Sequence, residues 1–468
     1  MSVPSIPWRM PVRYLHDFRP YQHDALAFLE RTPRAYLAAK AGAGKTGVAL
    51  ALANSLMYDQ FSVRRTLVVA PKRVAKQWPN EAKNWAFSGH LRFAVYVGSP
   101  EERKAALASD FDVLTVSFDF FPELMKLIRL KDWDFDLVIF DEASRLRKGG
   151  RKGSVGWKAM NTMARRTDSR IVLMSGSPRP GTAHELFAPV GILDGGQRLG
   201  KTLTGFRADY LEPKKLNRHT GQVYSWKLRQ GMESKLYERI SDLYFAVAPD
   251  LGLRSVVVDR KVTLPAKVAT AIRTLMRNQV VDIDAITINA PSQGVVSGKA
   301  HQMCQGAIFT DEGVSVMHNE KLDELAEIIE EVDGPLLVCH WYTHDFDRIK
   351  ARFPEAVDIT TEEGMEAAMA GKVELALLNP GSAGHGVDGL QHQFSAICWF
   401  AIPASFELYD QANKRIVRSG QEETVRIFRI SAENGIVDGA LLDGLAEKEA
   451  EQDEFFKYLE GRHETQEA

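Results

Sequence analysis

The stretch Ala39-Lys40-Ala41-Gly42-Ala43-Gly44-Lys45-Thr46 decides how the rest of the chain is read. It follows a short apolar run, Ala35-Tyr36-Leu37-Ala38, and precedes Gly47-Val48-Ala49-Leu50-Ala51-Leu52-Ala53, which is rich in helix formers. The order predicts a strand, a glycine-containing turn and a helix N-terminus. Such a turn gathers backbone N–H groups around an anion and adds the positive end of the helix dipole. Gly42, Ala43 and Gly44 would line the cradle, Lys45 would reach the outer phosphates, and the Thr46 hydroxyl would coordinate Mg²⁺. The usual pattern begins with Gly where this one has Ala39, so support has to come from elsewhere in the chain.

The chain has 468 residues, enough for two or three domains with full-sized cores. Hydrophobic residues make up 45% and charged residues 26%, an ordinary balance for a globular protein. A formal net charge of −2 excludes a generally basic coat for nucleic acid and leaves a local basic groove open. The three cysteines, Cys304, Cys339 and Cys398, lack Cys-x-x-Cys spacing and suit buried thiols in a reducing compartment, not a disulfide framework or zinc site. No segment approaches the roughly 20 apolar residues that span a membrane, and the start lacks the layout of a secretory signal. A cytoplasmic protein is expected, without internal repeats or low-complexity tracts.

Upstream of the loop, Phe18-Arg19-Pro20-Tyr21-Gln22 opens a predicted helix, and the Gln22 amide, donor and acceptor at once, suits the edge of adenine. Downstream come the runs Thr66–Ala70, Phe93–Val97, Val113–Val116, Leu137–Phe140 and Ile171–Met174, separated by helical patterns. Short β-branched runs alternating with helices indicate a parallel sheet covered on both faces, which binds ligands beyond its carboxyl ends. The informative residues stand there. Asp141-Glu142-Ala143-Ser144 follows the fourth run: Asp141 would hold Mg²⁺, and Glu142 would orient and deprotonate the attacking water. Pro71-Lys72-Arg73 follows the first run, ahead of Gln77-Trp78 and Glu81, and Ser175-Gly176-Ser177-Pro178 follows the last.

The series Arg19-Pro20-Tyr21-Gln22, Gly42–Thr46, Ala70-Pro71 with Gln77-Trp78 and Glu81, Asp141–Ser144 and Ser175–Pro178 resembles the first motor domain of a superfamily 2 helicase related to the DEAD/DEAH-box ATPases. The Arg-Pro-Tyr-Gln opening and the Gln-Trp pair are similar to the Swi/Snf-like translocases. Ser144 stands where that family more often has His, and Ser175 and Ser177 where Thr is frequent. The resemblance implies a coupling role for Ser175, Gly176 and Ser177. It also implies nucleic-acid contacts by Lys72, Arg73, Ser117, Ser382 and the patch Arg145-Leu146-Arg147-Lys148, made to the backbone without base readout.

From Arg198 to about Asn319 the periodicity is poorer, and Lys214-Lys215, Arg218-His219, Lys227 and Arg229 gather among Tyr210, Tyr224 and Trp226. Basic residues among aromatics suit a phosphate backbone and equally a solvated surface. Met303-Cys304-Gln305-Gly306 has no assignable chemical role. Alternating runs resume with Pro335–Cys339, Val357–Ile359, Leu375–Leu378, Ala396–Phe400 and Val425–Phe428, a second sheet without a Gly-Lys-Thr loop. Its chemistry lies in Ser382-Ala383-Gly384-His385-Gly386-Val387-Asp388 and in Gln411-x-x-x-Arg415-x-x-Arg418-x-Gly420-Gln421. The spacing predicts Gln411, Arg415 and Arg418 on neighbouring turns of one helix face. An arginine aimed at a γ-phosphate stabilises transition-state charge.

These two strings resemble the fifth and sixth helicase motifs in their Swi/Snf-like form, with Asp388 for a usual Asn and His385 for an apolar residue. The resemblance makes Gly386 and Asp388 nucleotide contacts and Gln411, Arg415 and Arg418 catalytic. It implies an α/β protein of two tandem RecA-like domains with ATP in the cleft between them. The expected division is residues 1–198, a basic linker 199–319, a second domain 320–445, and an acidic tail 446–468 whose Phe455-Phe456 and Tyr458-Leu459 anchor a loosely packed helix.

The implied activity is a nucleic-acid-stimulated ATPase moving along DNA, duplex favoured, with ATP and Mg²⁺ as cofactors. The alternatives are a strand-separating helicase on single-stranded DNA or RNA and an ATP-gated clamp recruiting a nuclease or a replication or recombination partner. A small-molecule kinase fits poorly, since it needs an acceptor site in place of a second gripping sheet. No reader domains of the kind that chromatin remodellers carry are legible. A minimal motor of phage or bacterial type is expected, acting in the bacterial or phage-infected cell, without a membrane partner and monomeric when isolated.

Overall fold

The computed structural model describes residues 12–40, 42–147, 153–178, 183–216, 221, 223–250, 252–283, 286–381 and 389–466. The chain forms two compact units, residues 1–249 with 451–468, and residues 250–450. The stretch 199–319, read from sequence as one linker, contributes to both.

The first unit is built on β1 (Arg34–Ala39), β2 (Thr66–Ala70), β3 (Phe93–Tyr96), β4 (Val113–Ser117), β5 (Leu137–Asp141) and β6 (Arg170–Ser175). A hairpin of β7 (Leu211–Leu216) and β8 (Val223–Leu228) follows, then β9 (Tyr244–Val247). The sheet order is β3-β4-β2-β5-β6-β1-β9, and every pairing is parallel. Side chains alternate across it. Tyr36, Leu67, Val69, Val138 and Phe140 enter one core, while Leu37, Val68, Ala70, Leu137 and Ile139 enter the other. Because both faces are covered, the strands read as nearly continuous apolar runs. The helix Lys45–Asn54 is buried along Gly47–Ala53 and lies wholly in the second of these cores, which suits a helix apolar on all sides.

The second unit contains β10 (Ser255–Val262), the hairpins β11 (Val280–Ile283) with β12 (Ile286–Asn289) and β13 (Ala307–Thr310) with β14 (Gly313–Val316), then β15 (Leu336–Cys339), β16 (Val357–Asp358), β17 (Leu375–Leu378), β18 (Ala396–Trp399) and β19 (Val425–Ala432). Its sheet runs β10-β19-β18-β15-β17-β16, all parallel. Leu336, Val338 and Cys398 face one core and Leu337, Cys339 and Trp399 the other. The expected α/β class with two parallel sheets flanked by helices is what the structure shows.

The last helix, Val437–Gln466, begins in the second unit and ends in the first. Phe455, Phe456 and Leu459 are 0–1% exposed and belong to the first unit's core with Tyr237 and Tyr244. The loose packing expected of the tail gives way to full burial, because the edge strand β9 leaves Tyr244 to be covered.

Candidate active site

A parallel sheet puts all its carboxyl ends on one edge, and the register brings particular residues side by side there. Ala38 pairs with Ser175, Ala70 with Ser117, and Asp141 with Met174. Ala39, Lys40 and Gly42–Thr46, Lys72 and Arg73, Asp141 and Glu142, and Ser175 therefore share one rim of the first unit.

The loop turns through two left-handed glycines, Gly42 at φ 81° and Gly44 at φ 78°. Gly44 caps the helix that carries Lys45 and Thr46 in its first turn. Gln22 packs against it so closely that a Cβ on Gly44 would lie 2.3 Å from Gln22 Nε2. The other end of that amide is fixed, since Gln22 Oε1 accepts from the Arg19 N–H at 2.9 Å. Buried Ala43 donates its N–H to the Lys40 carbonyl at 3.2 Å. Lys45 Nζ donates to the Ala39 carbonyl at 2.7 Å and the Lys40 carbonyl at 3.4 Å. Both acceptors are neutral carbonyls, and a charged oxygen makes a stronger bond to an ammonium.

Asp141 ends β5, and its carboxyl is pushed up to about 6 by burial and then by the neighbouring Glu142. The Lys45 ammonium and the Trp78 indole, whose Nε1 donates to Oδ2 at 3.2 Å, act in the opposite direction. A partly desolvated carboxylate beside a second acid is a site that favours a cation, and so fits Mg²⁺. Glu142 sits at φ 67°, unusual for a residue with a side chain and worth about 1–3 kcal/mol of strain. Its Oε1 accepts from Ser144 Oγ at 2.7 Å and from Ser175 Oγ at 2.9 Å. Ser175 Oγ in turn accepts the Ser177 N–H at 3.0 Å. The backbone after β6 is thus tied to the carboxylate after β5, and Gly176 lies inside that tie.

The expected nucleic-acid contacts differ in exposure. Lys72 is exposed and Arg73 half-buried at the start of the helix Lys72–Lys83. Ser117 is fully buried, its Oγ accepting from the Phe120 N–H at 3.4 Å. The Arg145 guanidinium lies 4.8 Å from the Phe118 ring centroid, at a cavity of about 380 Å³ that Phe140 and Trp157 also line. Arg147 Nε stands 3.9 Å from Glu185 Oε1. Lys148, Ser382, Gly386 and Asp388 lie outside the described residues.

In the second unit the structure corrects one expectation. The helix Phe406–Asn413 carries Gln411 and then stops, so Arg415 and Arg418 are not on its next turns. The chain coils tightly instead, with the Ile416 and Val417 N–H groups both donating to the Asn413 carbonyl. The Asn413 side chain is taken by Trp399 Nε1 at 2.9 Å. Gln421 Nε2 donates to the carbonyls of Gln391, Phe394 and Ile416 at 3.0, 2.9 and 3.4 Å, which fixes the end of the turn. Arg415 is buried, 9% exposed, and Arg418 half-buried.

Sequence reasoning attached Trp78 to a motif without seeing its bond to Asp141, and treated Ser144 as a departure without seeing that it holds Glu142. The first bond is invisible in spacing, since 63 residues separate Trp78 from Asp141, whereas Ser144 stands two residues from Glu142 and a side-chain bond across that short turn could have been considered.

A family model described as an SNF2-related domain matches residues 21–279, more than half of the chain. The chain belongs to the SNF2-related family. Putative protein p41 of Acyrthosiphon pisum secondary endosymbiont phage 1 is 28% identical over 458 residues, covering 93% of this chain and 97% of that protein. The CHD3-type chromatin-remodeling factor CHR7 of Arabidopsis thaliana is 28% identical over 188 residues, 37% of this chain and 15% of the factor. The SNF2-related chain therefore matches the phage protein along nearly its whole length and the remodelling factor over a small share. Among solved structures, the Sulfolobus solfataricus SWI2/SNF2 ATPase core in complex with dsDNA aligns at TM-score 0.44 and 17% identity, over 96% of this chain and 98% of that one. Among the described residues no helix is long and apolar enough to cross a membrane.

Proposed function

We propose that this SNF2-related ATPase domain hydrolyses ATP to move along DNA, with the duplex as its preferred track. The observation that carries the reading is the convergence on one sheet rim of Lys45, Asp141 and Glu142, with Glu142 tied through Ser175 to the Ser177 backbone.

In this reading the Gly42–Gly44 turn and the helix N-terminus receive the phosphates, Gln22 lies toward the adenine, and Thr46 and Asp141 would hold Mg²⁺. The metal, when bound, screens phosphate charge. Glu142 orients a water and takes its proton, and its two serine partners fix Oε1 so that Oε2 keeps one orientation. Loss of the γ-phosphate would be felt along the Glu142–Ser175–Ser177 tie, which gives chemistry at the phosphate a route into backbone movement. Arg415 and Arg418 are the charge-stabilising arginines of this reading. Lys72, Arg73, Arg145 and Arg147 contact the nucleic-acid backbone, a role that leaves sequence unread.

The test is steady-state ATP turnover with duplex DNA, single strands or RNA as activator, alongside displacement of a triplex-forming strand. Stimulation by duplex together with triplex displacement supports translocation. Preference for single strands or RNA points to the strand-separating helicase, and nucleotide-dependent binding without displacement points to a clamp. Lys45→Ala and Glu142→Gln are expected to abolish hydrolysis while the fold is kept. Equal turnover with and without nucleic acid refutes the reading.

A further inference from the structure

The last helix of the chain reaches back to the phosphate loop. Asp453 Oδ1 accepts from Lys40 Nζ at 2.7 Å, and the same ammonium lies 5.6 Å from the Phe456 ring centroid. Lys40 is the second residue of the loop, and its backbone is occupied on both sides. Its N–H donates to the Val247 carbonyl at the end of β9, and its carbonyl accepts from Ala43 N–H and from Lys45 Nζ. One residue thus joins the tail to the turn that presents Lys45.

The tail is held there by more than the ion pair. Phe455 meets Tyr237 edge-on at 4.8 Å and Tyr244 at 5.8 Å, and Tyr244 stacks on Tyr36 of β1 at 4.6 Å. Glu460 accepts the Ala248 N–H just past β9. The aromatic contacts fix where Asp453 stands, so the carboxylate meets Lys40 without an ordering cost at the moment of nucleotide binding.

We propose that Asp453 is a positioning residue for the nucleotide site, acting through Lys40 on the geometry of the Gly42–Lys45 turn. The inference rests on the ATPase reading given above. It makes a prediction whose sign separates it from simple electrostatics. Removing a negative charge near a phosphate site should by itself strengthen nucleotide binding. Loss of a positioning contact should weaken it.

The pair is partly exposed, 32% for Lys40 and 43% for Asp453, so an effect of about two- to fivefold is expected. Asp453→Asn should raise KM for ATP, and the Kd of a fluorescent N-methylanthraniloyl-ADP, by that factor, with kcat at saturating ATP unchanged. The double variant Lys40→Ala/Asp453→Asn should be no worse than the more affected single variant, because both remove one contact. Glu454→Gln removes the same charge from the neighbouring exposed position of the same helix and should leave affinity alone. Tighter or unchanged binding in Asp453→Asn, or equal weakening in Glu454→Gln, overturns the positioning role while wild-type turnover preserves the ATPase reading. A wild-type chain that neither binds the fluorescent nucleotide nor hydrolyses ATP overturns both.

Discussion

Replacing Asp141 by Asn should stabilise the nucleotide-free protein while removing its activity. The carboxyl is pushed up to about 6 from an ordinary 3.8, first by burial and then by Glu142. Its folded value lies above its unfolded one, so the favourable contribution is present below about pH 3.8 and is lost as pH rises through about 6. At pH 7.5 the folded chain therefore carries a cost of about 3 kcal/mol for an ionised Asp141. Asn keeps the shape and an acceptor for the Trp78 indole but carries no charge. The expected gain is about 2–3 kcal/mol at pH 7.5, or about 5–10 °C in Tm for a unit of this size. It should fall to about half at pH 5 and nearly vanish at pH 4. Glu142→Gln removes the second cause, so Asp141→Asn should gain less in that background. The assay is thermal melting in EDTA from pH 4 to pH 8, with ATP turnover measured in parallel. An Asn variant that melts lower at pH 7.5, or a gain that does not change with pH, refutes the charge argument.

Gly44→Ala puts a Cβ 2.3 Å from Gln22 Nε2 at φ 78°, and should cost about 1–2 kcal/mol together with nucleotide affinity; Gln22→Ala in the same chain should return part of the stability but not the affinity, read by melting and nucleotide titration. In the second unit, Lys321 and Asp438 form a fully buried pair at 2.7 Å, and Asp438→Ala should destabilise that unit by about 3–5 kcal/mol in denaturant titration, whereas Lys321→Met/Asp438→Leu should cost less than either single change. His301 and His318 are each lowered to about 4, chiefly by burial, so the second unit should keep its full stability above about pH 6.5 and lose it as pH falls toward 4; His318→Gln should flatten that slope in pH-dependent melting.

The parts of the site that the sequence makes legible are those whose chemistry is local. Ala39–Thr46 announces itself because turn, cation and hydroxyl are consecutive, and Asp141-Glu142 because a strand end delivers both acids together. What stays hidden depends on partners far away in the chain. The edge strand β9 is four residues long and pairs with β1 about 200 positions earlier, so nothing near Tyr244 marks it as part of that sheet. The convergence of Ser144 and Ser175 on one oxygen requires β5 and β6 to be neighbours, which spacing alone does not say. Helical spacing misled at Gln411–Arg418 because the register of a helix is independent of its length. Past Asn413 the Arg415 N–H donates three residues back to the Ala412 carbonyl and the Arg418 N–H two residues back to the Ile416 carbonyl, turns too tight to carry the helix on.

The tail shows the same limit from the opposite side. Its acids look interchangeable in composition, yet Asp453 meets Lys40 and Glu460 meets the Ala248 N–H, while Glu454 is exposed. Which acid matters is set by Phe455, Phe456 and Leu459, the apolar positions that enter the core, since burying them fixes the rotation of the helix. That burial also explains why the first unit is discontinuous in sequence. A β-strand as short as β9 cannot shield Tyr244 from water by itself, and the chain supplies the cover from residues that follow the whole second unit. The nucleotide loop sits at the end of the strand that Tyr36 and Tyr244 stack across. The same burial sets Asp453 and Phe456 beside Lys40, the residue whose carbonyl accepts from Lys45 Nζ, so the packing of this helix reaches the turn that carries Lys45.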